Sequence, residues 1–362
     1  MYNLSYKAYN NKRLSILHSN INAAASIWNH IISLQKRYYK LYGGYINVYR
    51  MQRHIAKLRN KNDVWKTLTA QSTQEISERV NISYQRFFKK ISKFPPKYKK
   101  ESDYSSFVLK QDGWKIKDNV LTINNKKYKF IKTRDYENIK RIIVKRSNNK
   151  EIFFIIVCDI KPKNYERVGD ATIGIDFGFK TFLTLSNGKE IKYPFFLKKD
   201  IEKIKKLNKK YSLKKTNSKN KEYCKMAIQK LHLSIRNKRS DYQWKLAHTL
   251  CSENKFISIE DIDFRLMSKK YEKMSQDLGA GSFFYKLRCI SEKYGTVIQK
   301  VGRYYPSSKT CSCGVINNNL KLSDRVWTCN SCGTTHKRDL LAANNILTEG
   351  IRLYRTKCKS TL

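Results

Sequence analysis

From about Lys12, apolar residues recur at spacings of three and four: Leu14, Leu17, Ile21, Ala24, Trp28, Ile31 and Leu34. That period predicts an amphipathic helix. A second helical stripe is expected through Val64, Trp65, Leu68, Ile76, Val80, Tyr84, Phe87 and Phe88, stopped by Pro95-Pro96. Both stripes are expected to be helical core. The residues ahead of them, YNLSYKAYN (2–10), fit one short strand. From Phe94 to about Asp159 the texture changes to short β-type runs, SSFVLK, NVLTINNKKYKFI, KRIIVKR and EIFFIIVCDI, with a hairpin turning at Asn124-Asn125. Together these predict a small β domain with a helical insertion, closed by a linker at KPKNYERVGD (161–170).

A third region opens with TIGIDFGFKTFLTLSNGKEIKY, two strands around a tight turn and then a hairpin at Asn187-Gly188. Residues 201–250 form a long, very basic helical stretch, and KFISIEDID (255–263) is a buried-type strand. The helix SFFYKLRCISEKYG ends at Gly295, a residue suited to a helix C-cap, and TVIQKVGRYY is another strand. A final helix starts at about Arg338. Strands alternating with helices in this way predict an α/β domain.

Composition adds that 362 residues, 40% hydrophobic and 12% aromatic, suffice for two or three folded domains. No run approaches the length of a membrane span, and MYNLSYKAYNNKR lacks the apolar core of a signal peptide. A cytoplasmic protein without membrane partners is expected. Nine cysteines, an odd number, point to reduced thiols and to a metal cluster over a disulfide framework.

Charge changes the picture most. Seventy-five Lys+Arg against 29 Asp+Glu give +46, far beyond the needs of solubility. Such a chain repels itself unless a polyanion neutralises it. Twenty-four tyrosines and 16 phenylalanines among the basic residues add stacking surfaces for unpaired bases. A nucleic-acid partner is expected, with binding that falls steeply with salt.

Three acids stand where a carboxylate is costly or well placed. Asp176 lies between Ile175 and Phe177, with Gly174 and Gly178 leaving room beside it for backbone or ligand. Glu260 ends the apolar run FISIE, although Asp261 and Asp263 are neighbours and the pattern alone does not force the choice. Asp339 opens the helix DLLAANNIL, where the helix dipole favours an acid. Each has an ordinary explanation singly; together, in so basic a chain, they suggest phosphodiester chemistry. Two Mg²⁺ ions about 3.5–4 Å apart, held by carboxylates, activate water and stabilise the leaving oxygen in such reactions.

The cysteines suit a different metal. Cys311 and Cys313, then fifteen residues, then Cys329 and Cys332, with Gly314 and Gly333 after the pairs, form a four-ligand zinc-ribbon pattern. Four thiolates leave no open position, so this zinc would be structural. The first pair is C-x-C, one residue shorter than the usual knuckle, and its turn must be tighter. His336 is a spare ligand or a surface histidine.

GIDFGFKTFLTLSNG, ISIEDI, YPSSKTCSCG, WTCNSCG and KRDLLAANNIL, in this order, resemble the TnpB (OrfB) proteins of IS200/IS605-type transposons. The likeness extends to LHLSIRNKRSDYQWKLAHTL and to FFKK…FPPKYKK. Those proteins are RNA-guided DNA endonucleases related to compact type V CRISPR effectors. The resemblance implies a multidomain α/β and β protein: an RNase H-like (RuvC) nuclease in pieces at 166–309 and 336–350, with a zinc ribbon inserted at 310–335. It implies a β-barrel wedge domain at 1–11 and 94–165, interrupted by a helical recognition lobe at 12–93, and a basic tail at 351–362. Asp176, Glu260 and Asp339 would be catalytic and hold Mg²⁺ or Mn²⁺, and Cys311, Cys313, Cys329 and Cys332 would hold Zn²⁺. The partners would be a guide RNA from the transposon end and double-stranded target DNA, one chain per guide, in a prokaryotic nucleoid-associated setting. Gln71 and Gln74 would be candidates for reading the motif that flanks the target, or ordinary exposed helix glutamines.

The chain departs from the family pattern at C-x-C, at Lys337 (commonly aspartate), at Leu341 (commonly asparagine) and at QWK (243–245). All three acids are intact, which favours an RNA-guided endonuclease over an RNA-guided regulator that binds without cutting. A compact type V effector and a cut-and-paste transposase on the same fold are the other readings.

Overall fold

The alternation in YNLSYK produces β1 (Tyr2–Lys7), which buries Leu4 and Tyr6 and exposes their neighbours. A computed structural model describes residues 2–159, 164–263, 277–321 and 323–359. Residues 161–163 of the expected linker and 360–362 of the expected tail lie outside the described residues. The chain divides into two units, Met1–Lys161 and Pro162–Leu362.

In the first unit β1 is followed by α1 (Leu14–Tyr42), α2 (Val48–Arg59), α3 (Asp63–Lys66) and α4 (Ala70–Phe88). The threefold and fourfold spacing of α1 puts Leu17, Ile21, Trp28 and Ile31 on its buried face. The single stripe expected over 64–88 is two helices, because Thr69 caps α4 by accepting from the Ser72 N–H. Val64 and Phe88, 59% and 50% exposed, therefore lie outside the core assigned to them. Residues 48–59, with no expected element, form α2, capped by Asn47.

Six strands follow: β2 (Ser106–Leu109), β3 (Trp114–Lys117), β4 (Val120–Ile123), β5 (Lys126–Lys129), β6 (Ile139–Arg146) and β7 (Ile152–Cys158). β4 and β5 form the hairpin at Asn124-Asn125, both in the left-handed conformation. β1 pairs antiparallel with β7, Tyr2 opposite Cys158, in a sheet of order β1-β7-β6-β2. The first strand thus belongs to a sheet completed some 150 residues later, with the helices inserted between.

The second unit contains β8 (Ala171–Phe177), β9 (Leu183–Leu185), β10 (Glu190–Ile191), α5 (Phe196–Ser212), α6 (Lys219–Glu253) and β11 (Asn254–Glu260). It continues with α7 (Ala280–Tyr294), β12 (Val297–Val301), β13 (Val326–Thr328), β14 (Thr335–Lys337) and α8 (Arg338–Lys359). The sheet order is β10-β9-β8-β11-β12, with β8, β11 and β12 parallel and β9 antiparallel to β8. Its core is built on Ile173, Ile175, Phe182, Ile257, Ile259 and Phe283. The basic stretch 201–250 is two helices, and α8 runs on to Lys359 through residues assigned to the tail. Among the described residues no helix is long and apolar enough to cross a membrane.

Candidate functional site

β8 and β11 run parallel as neighbours with Ile175 opposite Ile259. The next residues, Asp176 and Glu260, therefore reach the same edge of the sheet. Carboxyl ends of parallel strands are where open α/β sheets commonly build their sites. Asp339 arrives from α8, which lies directly on β8 and β11. A methyl group on Gly174 would overlap the Ala343 carbonyl, and one on Gly350 would overlap the Ser258 hydroxyl. Ser258 Oγ–H also donates to the Ile346 carbonyl at 2.7 Å. The room beside Asp176 is thus taken by helix backbone at Gly174, and this close seating fixes where the first turn of α8 carries Asp339.

All three acids line one cavity of about 430 Å³. Burial, then the charges of Asp339 and Glu260, raise the Asp176 carboxyl to about 7. Burial, then Asp261, also raises Glu260. The three acids after Ile259 differ in their partners. Asp261 accepts from Lys300 Nζ at 2.8 Å, which holds its carboxyl below the usual range, and Asp263 Oδ2 lies 3.8 Å from Arg303 Nη1. Of those acids only Glu260 lines the cavity.

Three basic residues on the cavity wall, Lys180, Arg325 and Arg338, were not singled out in the sequence. Arg325 Nη1 lies 3.2 Å from each Asp339 carboxylate oxygen. Nothing in the sequence distinguished it from the other basic residues, because its partner lies fourteen positions away across a hairpin. Hard cations prefer oxygen donors, and a cluster of like charges that raises its own proton affinity is one that a divalent ion would relieve. The three carboxylates offer oxygen donors of that kind on one cavity.

The four cysteines come together ahead of α8, their sulfurs all within 4.8 Å of one another. This is the ligand set of a structural zinc site. The shortened pair closes its turn differently. Gly314 N–H donates to the Cys311 carbonyl, three residues back, whereas Gly333 N–H donates to the Cys329 carbonyl, four back. Both glycines adopt positive φ, +89° and +68°, so the missing residue is absorbed in a tighter turn. Hydrogen bonding with the side chain and backbone of Thr334 lowers the Cys332 thiol to about 6, favouring the thiolate. His336 is buried, not a surface residue, with Nε2 3.0 Å from Cys311 Sγ and its ring against Trp327. Leu341 packs with Cys311, Cys329 and Trp327, giving this departure from the family pattern a place in the ribbon core.

Gln71 is not free to read a base. Its Oε1 accepts from Gln111 N–H and Asp112 N–H, and its Nε2 donates to Asp112 Oδ2. Gln74 remains exposed on α4.

A parallel-stranded unit with acids at its carboxyl edge and a four-cysteine cluster beside it defines a multidomain α/β protein with a candidate zinc site. Comparison with known proteins places it more closely. Residues 155–270 match the OrfB_IS605 family, described as a probable transposase, and residues 281–346 match the Cas12f1-like TNB domain. A putative RNA-guided DNA endonuclease of Streptomyces pristinaespiralis is 27% identical over 77% of this chain and 71% of its own length. The putative RNA-guided DNA endonuclease InsQ of Escherichia coli K12 is 24% identical over 91% of this chain and 87% of its own. TnpB-like protein L79 of Acanthamoeba polyphaga mimivirus is 28% identical, and there the match spans 44% of the viral protein. The fold matches a Cas12f1 solved with sgRNA and target DNA over 93% of this chain and 83% of that one, with TM-score 0.58 and 17% identity. The chain is thus similar to the TnpB-like (OrfB) proteins, in line with its motif series.

Proposed function

We propose that this protein is an RNA-guided DNA endonuclease of a transposon that hydrolyses target DNA at the three-acid cavity, in a RuvC-like domain. The observation that carries the reading is the convergence of Asp176, Glu260 and Asp339 on one cavity walled by Lys180, Arg325 and Arg338. Divalent ions bound there, Mg²⁺ or Mn²⁺, would activate water and stabilise the leaving oxygen. Asp176, Glu260 and Asp339 would hold the ions. Lys180 and Arg338 present positive charge to the phosphates of the strand being cut. Arg325 holds Asp339 in place from the ribbon side and can turn its guanidinium to a phosphate once the carboxylates are occupied. Asp176 would have to be ionised to serve as one of their ligands.

Cys311, Cys313, Cys329 and Cys332 would hold a structural zinc and so tie down β13, β14 and the residues on either side of them. The first unit is read as a β-barrel wedge (1–11 and 94–165) carrying a helical recognition lobe (12–93), and 166–309 with 336–350 as the nuclease pieces around the ribbon. The excess of 46 positive charges suits a guide RNA and a target duplex held together. A transposon-end RNA is the guide, with one chain per RNA.

The test uses purified protein with its co-purifying RNA and a plasmid carrying the matched target. Wild type cuts in Mg²⁺; Asp176→Ala binds the target equally well and does not cut. Equal cutting by the variant would sink the assignment.

A further inference from the structure

A second cavity, in the first unit, is left unused by the nuclease reading. The end of α1, the loop after it and the end of α4 enclose about 500 Å³, lined among others by Lys36, Tyr39, Tyr45, Tyr84 and Phe88. That volume is in the range of about 300–1,000 Å³ typical of small-ligand pockets. Its wall is a locked group of rings. Tyr45 packs on Tyr84 and Phe88 with centroids 5.2 and 5.4 Å apart, and its hydroxyl donates to Asn81 Oδ1 at 3.0 Å. Buried Gln35 ties down the adjoining loop, donating to the Ile46 carbonyl at 2.8 Å and accepting from the Ile46 N–H at 3.1 Å. The rings cannot easily collapse into the space. At the rim Tyr39 and Phe88 are 68% and 50% exposed.

The surrounding charge has one sign. Segments 34–50 and 84–100 hold eleven Lys and Arg, no Asp or Glu, and ten Tyr and Phe. Lys36 Nζ sits 4.4 Å from the Tyr98 ring centroid, and Lys97 Nζ 5.1 Å from that of Phe94. A second copy of the chain would bring the same charges against themselves, and a neutral peptide would leave them unneutralised. An occupant must offer planar apolar faces and negative charge at close, regular spacing. A duplex hides the first behind the second.

We infer that this cavity takes an unstacked nucleobase of a single-stranded RNA or DNA segment, its ring against Tyr39 and Phe88 and its flanking phosphates on Lys36, Lys93 and Lys97. This goes beyond the nuclease reading and does not depend on it, since nothing in the first unit needs the three acids.

The probe is a 12-nucleotide strand with one central 2-aminopurine, as RNA and as DNA, beside the same strands abasic at that position and a duplex of equal length. With the full chain, 2-aminopurine fluorescence is quenched on binding. Tyr39→Ala and the bulk-retaining Phe88→Leu each weaken the base-bearing strand about tenfold, the size expected for one lost stacking contact. Both leave the abasic strand and the duplex unchanged. The stronger of the RNA and DNA arms identifies which strand supplies the base. Asp176→Ala quenches like wild type, which separates this result from the fate of the nuclease assignment. Equal weakening of base-bearing and abasic strands, or no weakening, overturns the proposal. So does a dimer in sedimentation without nucleic acid that Tyr39→Ala dissolves, since a second copy would then own the surface.

Discussion

The ribbon and the three-acid cavity gather their ligand atoms in opposite ways. The four cysteines fall within residues 311–332, each pair held by its own glycine turn. Glu260 and Asp339 lie 84 and 163 residues beyond Asp176 (260 − 176 and 339 − 176), and they meet only because two strands and a helix pack together. Thiolates close in sequence enclose little besides the metal they would share, so the free energy of binding it is the free energy of folding that segment. Carboxylates brought together by packing are buried and repel one another, and the raised proton affinity of Asp176 records both, burial first. The ribbon should therefore depend on its metal for folding, and the acids on theirs for activity.

The sharpest way to break this contrast is to remove one ligand from each. Asp339→Asn is expected to keep one zinc per chain and its melting temperature while losing cleavage by about 10³-fold or more. Cys329→Ser is expected to lose the zinc, lower the stability of the second unit and also lose most cleavage. Arg325 and Asp339 flank β13 and β14, so loosening the ribbon moves both. Zinc content by atomic absorption and plasmid cleavage on the same samples check it. Full cleavage by zinc-free Cys329→Ser would show that the ribbon does not position the acids.

The same contrast explains how much was legible in the sequence. A chelate with local spacing announces itself, and so do the strands FISIE and TIGID whose final acids break an apolar run. Arg325 was invisible because an arginine gains meaning only from the carboxylate it meets. Gly174 was legible as a close approach, but what approaches, the α8 backbone, was not. The single stripe expected over 64–88 merged two helices because apolar period carries no mark of the Thr69 cap between them. The helix α2 escaped notice because only Met51 and Ile55 of its twelve residues are buried, too few to set a period.

Packing is the next weak point of the acid cavity, and it has no counterpart in the ribbon. Gly174→Ala should push α8 off β8, destabilise by about 1–3 kcal/mol or more, and reduce cleavage by displacing Asp339. Gly302→Ala serves as the control, since an added methyl there meets nothing within 4 Å. Its effect should stay within about 0.5 kcal/mol. Urea unfolding and cleavage rates of the pair decide whether helix seating sets the site.

Protons give an effect that is graded with pH and has a definite sign. In the folded, Mg²⁺-free protein the Asp176 carboxyl is raised from an ordinary value of 3.8 to about 7. Folding then favours its protonated form. The stability from that proton is fully present below about pH 4 and is lost as pH rises through about 7, up to roughly 2–4 kcal/mol. Wild type in Mg²⁺-free buffer should lose stability between pH 5 and 8 relative to Asp176→Asn, whose profile lacks this slope. Because bound ions must displace the proton, the Mg²⁺ concentration for half-maximal cleavage should fall as pH rises through 7. A half-maximal Mg²⁺ concentration independent of pH would remove Asp176 from the ion's ligands.

The smallest effect tests whether the shortened knuckle really leaves a four-sulfur site. His336 Nε2 lies 3.0 Å from Cys311 Sγ, close enough to donate to a thiolate, while the ring packs on Trp327. An N–H to a ligand sulfur spreads the charge of four thiolates on one metal, and losing such a partner commonly costs about 10-fold or more in metal affinity. His336→Phe keeps the ring against Trp327 and removes the donor. It should bind zinc about tenfold more weakly, with the cobalt-substituted spectrum of a four-sulfur site unchanged. If the wild-type cobalt spectrum instead carries the signature of three sulfurs and one nitrogen and the variant loses it, His336 is itself a ligand. Cys313, the exposed half of the C-x-C pair, would then be the sulfur it replaces, and the ribbon would be less locally organised than its spacing suggests.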